Sequence, residues 1–210
     1  MPASETIVGL KHRAIEALEK ADFSWADLSE VSEEIILYGS RAAGVERESS
    51  DWDFLCVGSG KNCRKKKIEI KWVSHEYVLS EKWLGSELAG HIAKYGIWLK
   101  GNGTWVSMVF VSADALKRKE IAICGYLAGM KIAWYFWGDD YKNVKVRKLR
   151  RHIQRFDCLF NNRAVPPNFT LDQEWGALKK PKNKLEEIMG KIKCVREYKE
   201  FIENTILPVI

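Results

Sequence analysis

Leu37-Tyr38-Gly39-Ser40-Arg41-Ala42-Ala43-Gly44, then six residues, then Asp51-Trp52-Asp53-Phe54-Leu55, is the stretch on which the reading of this chain turns. The apolar run Ile35-Ile36-Leu37-Tyr38 stops at Gly39-Ser40, as a buried strand entering a turn does. A second run, Asp53-Phe54-Leu55-Cys56-Val57, begins beside the aspartates. Asp51 and Asp53 stand two apart on this second strand, so their side chains share a face while Trp52 and Phe54 turn into the core. Neighbouring carboxylates repel, and both stay ionised only with a cation between them. Hard oxygen ligands of this kind suit magnesium, which also takes oxygens from substrate phosphates. Gly39 lets a phosphate approach the backbone, Ser40 adds a hydroxyl and can cap the next helix, and Arg41 can reach an anionic group. The competing reading is an ordinary strand–turn–helix with a serine cap and a surface Asp pair. Either motif alone has little weight; together, ten residues apart and each bordering a short apolar run, they favour the chemical reading.

Outward from this stretch, Ile7, Leu10, Ile15 and Leu18 predict a helix over 6–20, and Ile68 to Val73 a third strand. Leu84, Leu88, Ile92 and Tyr95 predict a helix ending at Gly96, and Trp105 to Val111 one more strand. Three long helices are predicted beyond: Ala113 to Trp137, about 140–162, and about 182–205, with Pro166-Pro167 breaking the chain before the last. The fold class is therefore α+β: a small mixed β-sheet domain with flanking helices over 1–112, followed by a C-terminal helical bundle over 113–210.

Gly-Ser, about ten residues, then Asp-x-Asp opening an apolar strand resembles the signature of the DNA polymerase β-type nucleotidyltransferase superfamily. Gly39-Ser40-Arg41-Ala42 with Ser50-Asp51-Trp52-Asp53-Phe54-Leu55 is especially similar to small prokaryotic members, among them antibiotic nucleotidyltransferases and the nucleotidyltransferase half of toxin–antitoxin pairs. The resemblance covers about residues 35–73. It implies a third carboxylate on a neighbouring strand, for which Glu69 is the matching position. Many members have aspartate there. On physical grounds too, a lone acid between Ile68 and Ile70 needs a partner, whether a metal or Lys67 or Lys71. The resemblance further implies two magnesium ions on Asp51, Asp53 and Glu69, with Gly39 and Ser40 at the β- and γ-phosphates of a nucleoside triphosphate. The reaction it implies is attack by an acceptor hydroxyl on the α-phosphorus, with release of pyrophosphate. ATP-binding is part of that expectation. Lys131, which interrupts the apolar helix Ile121 to Trp137, is a candidate triphosphate ligand; a lysine snorkelling to the surface is the competing reading. A catalytically weak relative that binds nucleotide, RNA or a partner protein is the alternative function.

Of the 210 residues, 46% are hydrophobic, which excludes a disordered chain. No stretch nears the ~20 apolar residues of a membrane span. The start Met1-Pro2-Ala3-Ser4-Glu5 lacks the pattern of a secretion signal, so the expectation is a cytoplasmic protein with no membrane partner. Five scattered cysteines without a CxxC pair read as reduced thiols. From residue 113 on, 20 Lys or Arg stand against 12 Asp or Glu, while the first 112 residues hold 14 against 16. Two basic groups stand out. Lys61 and Arg64 to Lys67 join two strands, and Arg147, Arg151 and Arg155 form a stripe on a helix that also holds Lys142, Lys145, Lys148 and Arg150. Such a stripe can follow a phosphate backbone, with Trp134 or Trp137 stacking on a base; a solvated helix face competes equally. A basic second half disfavours polycationic antibiotics as acceptors, and leaves RNA, a protein hydroxyl or another small molecule. A homodimer remains open.

Overall fold

Strands that read as unbroken apolar runs need cover on both faces, and the two such runs here, 35–38 and 54–57, are buried throughout. The computed structural model describes residues 6–209, apart from the side chain of residue 194, so the Met1 to Glu5 stretch lies outside the described residues. The chain forms two units, Met1–Phe110 and Val111–Ile210.

In the first unit the strands are β1 (Ser32–Tyr38), β2 (Trp52–Gly58), β3 (Cys63–Lys65), β4 (Ile68–Val73) and β5 (Ile97–Lys100), in the order β3-β4-β2-β1-β5. β2 and β4 run parallel and every other pair is antiparallel. After β2 the chain passes beyond β4 to β3 and returns through the two-residue turn Lys66-Lys67, where Lys66 takes a positive φ of 55°. The helices α1 (Ile7–Lys20) and α2 (Trp25–Val31) cover one face. There Leu10, Ala14 and Leu18 pack on Ile35, Leu37, Phe54, Cys56 and Ile70. A one-turn helix α3 (Gly39–Ala42) follows β1, and α4 (His75–Val78), α5 (Glu81–Leu84) and α6 (Glu87–Tyr95) come after β4. From these last three, Val78, Trp83, Leu84 and Ile92 join Trp105 in covering Ile36, Tyr38, Leu55 and Val57 on the opposite face. Serine caps punctuate this region: Ser74, Ser80 and Ser86 each accept from the backbone N–H three residues on, the donors a helix start leaves unpaired.

The strand predicted over Trp105 to Val111 does not form. The pairing edge beside β1 goes to Ile97–Lys100, and Thr104–Met108 is a 3-10 turn. The physical reason is Glu34, whose carboxylate accepts from the indole N–H groups of Trp98 at 3.0 Å and Trp105 at 3.1 Å and from the Gly103 N–H at 3.2 Å. That clamp pins Trp105 under the sheet instead of extending it.

The second unit is helical, with α7 (Ala113–Ala133), α8 (Asp139–Phe160), α9 (Asn168–Gly176) and α10 (Pro181–Met189). Its core holds Ile123, Leu127, Met130, Leu149, Ile153, Leu185, Ile188 and Ile206. The long helix predicted over 182–205 stops at Met189, and short 3-10 and π turns carry the chain onward. Its apolar residues Leu185, Ile188, Ile192, Val195 and Ile202 are all buried; the periodicity marked the buried set correctly while Gly190 ended the helix. Trp134 is buried in this core and cannot stack on a base. Among the described residues Cys56, Cys63 and Cys158 are thiols outside any disulfide. Cys124 is disulfide-bonded, which corrects the reading of every cysteine as reduced. The side chain of Cys194 lies outside the described set. No helix of the described residues is long and apolar enough to cross a membrane.

Candidate active site

Register brings the acidic residues together. Tyr38 on β1 pairs with Asp53 on β2, Asp53 with Glu69 on β4, and Glu69 with Arg64 on β3. Residues directly opposite in a sheet share a face, so Arg64, Glu69, Asp53 and Tyr38 make one row across four strands. Asp51 immediately precedes β2 and Gly39 immediately follows β1, so both lie at one end of this row.

Gly39 takes a φ of +78°, and a Cβ placed on it would lie 2.3 Å from Asp53 Oδ2. The glycine thus serves two needs: a left-handed backbone that side chains disfavour, and room for a carboxylate against the turn. Ser40 does not cap α3. The cap position belongs to Tyr38, and Ser40 sits half-buried within the helical turn.

Two of the three carboxylates are partly neutralised by cations at the rim. Arg64 Nη2 donates to Asp51 Oδ2 at 2.6 Å, and its Nη1 lies 3.8 Å from Glu69 Oε2. Lys71 Nζ is 3.4 Å from the other Glu69 oxygen. With cations placed between them, the acids do not close on a common point: among the described residues no group of three His, Cys, Asp or Glu side chains is gathered to hold a metal ion. Among the described residues no cation lies at ion-pair distance from Asp53. Burial, reinforced by the charges of Glu69 and Asp51, pushes its carboxyl from the ordinary 3.8 up to about 6, against the pull of Lys71 and Arg64. Burial and then the charges of Asp53 and Glu69 push the Tyr38 phenol up as well, so it keeps its proton. A half-buried carboxylate beside two others, with neutralising charge supplied from the rim by Arg64 and Lys71, is an electrostatic arrangement suited to a divalent cation.

Arg41 is not placed as an anion-reaching group. It is buried, donates through Nη2 to the Ser50 carbonyl at 2.7 Å, and lies 4.2 Å over the Trp52 ring, with Nε unpartnered. Burial lowers its pKa. Its contacts bind the loop leading to Asp51 onto the strand that carries Asp53. Lys131 lies on α7 of the second unit and is exposed, so its charge needs no buried anion. The basic groups are also largely engaged. Lys65 pairs with Asp22 at 2.7 Å, Lys66 donates to the Lys20 carbonyl and Lys67 to that of Glu48. On α8, Arg150 and Arg151 both bind Asp172, and Arg155 donates to Asn168. Two arginines of the expected stripe are therefore tied to α9. Sequence reasoning missed Tyr38 and did not connect Arg64 to the acids; the signal for Arg64 is its register opposite Glu69, which no spacing in the sequence displays.

Comparison with known proteins falls on the same part of the chain. The family model described as a nucleotidyltransferase domain matches residues 18–85, which hold β1 to β4 and every acid of the row. The chain is also 33% identical over 116 residues to "Putative protein adenylyltransferase MJ1305" of Methanocaldococcus jannaschii, a match covering 53% of this chain and 66% of that protein's length. With its Gly-Ser turn and acidic strands inside the matched region, this chain belongs to the nucleotidyltransferase superfamily.

Proposed function

We propose that the first unit transfers a nucleoside monophosphate from a nucleoside triphosphate, ATP in the first instance, to a hydroxyl group, and that magnesium supports the reaction. The observation that carries this reading is the half-buried Asp53 carboxylate, set between Glu69 in register and the Gly39 turn and pushed up to about 6 by partial burial and like charge. Asp51, Asp53 and Glu69 would hold two magnesium ions, whose chemistry is to neutralise charge on the triphosphate and on the reacting oxygens. Arg64 and Lys71 give way when the cations bind, and their charges become available to phosphate oxygens. The Gly39 turn admits the β- and γ-phosphates without steric conflict, and Ser40 offers its hydroxyl beside them. The acceptor oxygen forms a bond to the α-phosphorus as the α–β bridging P–O bond breaks. The electron pair leaves with pyrophosphate, and the hydroxyl proton passes to Glu69 at the rim.

The name of the M. jannaschii relative supports a protein hydroxyl as acceptor. The test supplies α-labelled ATP, and separately each other triphosphate, with magnesium and a nucleic-acid-free protein extract or total RNA. The expected result is pyrophosphate release with label on protein, resistant to ribonuclease. Label on RNA would reassign the acceptor. Saturable nucleotide binding without pyrophosphate from any mixture would overturn transfer altogether. Asp51→Asn and Asp53→Asn are each expected to lower turnover by roughly 100-fold or more, the scale of losing a preorganised electrostatic partner.

A further inference from the structure

We propose that the outward face of α7 is a self-association surface, on which a second copy of this chain docks antiparallel. The helix buries Ala115, Ile123, Leu127 and Met130, and from Ile121 onward its other side is apolar apart from the exposed Lys131. Ile121 is 61% exposed, Ile132 77%, and Tyr135 and Phe136 87% each. At the 3.6-residue period Ile121, Gly125, Gly129 and Ile132 fall in one row of α7, the 3-10 turn Trp134–Phe136 continues the helix with the exposed Tyr135 and Phe136, and a Cβ added to Gly125 or Gly129 would meet nothing within 4 Å. Contiguous apolar surface of this extent is uncommon on a monomer.

Three features select a second copy as the occupant. The first is area. Each aromatic offers about 150–250 Å², so Tyr135, Phe136, the two isoleucines and the strip between them supply roughly the 800 Å² per partner of a standard interface. The second is self-complementarity. The row runs large, small, small, large about its midpoint, so a two-fold axis near Leu127 sets Gly125 against the other copy's Gly129 and Ile121 beside its Ile132, as an isologous contact requires. The third is charge. The exposed Lys117 and Arg118 precede the row. A parallel pair would stack these cations on their own images, whereas an antiparallel pair lays each Arg118 on the Phe136 ring of the other copy. The glycines let the helix backbones approach closely; the exposed isoleucines and aromatics provide the driving force.

The test is sedimentation of the full chain at 1–100 µM (chosen range, about two decades around a typical weak dimer). The expected result is a mass twice the 24.2 kDa of one chain, with Ile132→Asp and Phe136→Asp each weakening association at least ~10-fold. Both positions are exposed, so an unchanged circular dichroism spectrum accompanies the loss. Orientation is read with a short bismaleimide. Arg118→Cys mixed with Phe136→Cys should cross-link above the background of the unaltered chain. Phe136→Cys alone should not, since its two copies would stand about 30 Å apart by helical rise. A monomer throughout the range, a dimer indifferent to Ile132→Asp, or efficient cross-linking of Phe136→Cys to itself would overturn the proposal.

Discussion

A carboxylate held near 6 inside a sheet is a local cost of the folded state, and Asp53 carries it. Because its folded pKa is raised above the ordinary 3.8, its contribution to stability is fully favourable below that value and is lost as pH rises through about 6. Asp53→Asn is therefore expected to stabilise the metal-free protein at pH 7 by up to about 3 kcal/mol, with the advantage shrinking between about pH 6 and 4. Urea midpoints in EDTA across that range check it, and an unchanged or lower midpoint at pH 7 counts against the burial argument. Gly39→Ala meets Asp53 Oδ2 and also strains a φ of +78°, so a loss of about 1–3 kcal/mol together with weakened nucleotide binding is expected in denaturation and equilibrium dialysis. Arg64 is the competing cation. Because its side chain is largely exposed, Arg64→Gln should lower the manganese concentration for half-saturation only two- to five-fold, the scale of ~0.5–1 kcal/mol for such pairs. Electron paramagnetic resonance of free manganese reads this without any turnover.

The elements that matter most are those whose pairing set the positions of side chains. β3 is three residues long, yet its placement outside β4 carries Arg64 to Glu69. In the second unit, α8 ties Arg150, Arg151 and Arg155 to α9. Burial raises the Asp172 pKa, but hydrogen bonds from Arg151 and Arg150 and their charges outweigh it, and the pKa falls below its ordinary value. Such a group stabilises the fold above its unfolded pKa of about 3.9, and the benefit is lost as pH falls through the lowered value. Asp172→Asn should cost about 1–3 kcal/mol at pH 7 because it leaves two half-buried guanidinium groups without their anion. The difference from wild type should fade in acid below that range, measured by urea denaturation at a series of pH values. A constant difference at pH 2–7 would point to packing instead.

At the scale of the whole molecule, each unit has its own hydrophobic clusters. A fragment of residues 1–110 is accordingly expected to unfold cooperatively on its own and to bind ATP with magnesium, as calorimetry and dialysis would show; a molten fragment would contradict this. Sequence alone determined the α+β character, the strands at Ile35 to Tyr38 and Ile68 to Val73, the first helix, and the Gly39, Asp51 and Asp53 signature. These are local matters, set by apolar periodicity and by residue types whose chemistry is intrinsic. It did not reveal that Arg41 is a buried brace, that Trp105 is held by Glu34, or that Arg64 faces the acids. Those outcomes depend on which strands become neighbours and in what register, a competition among distant segments for hydrogen-bonding edges and buried volume that no local pattern encodes.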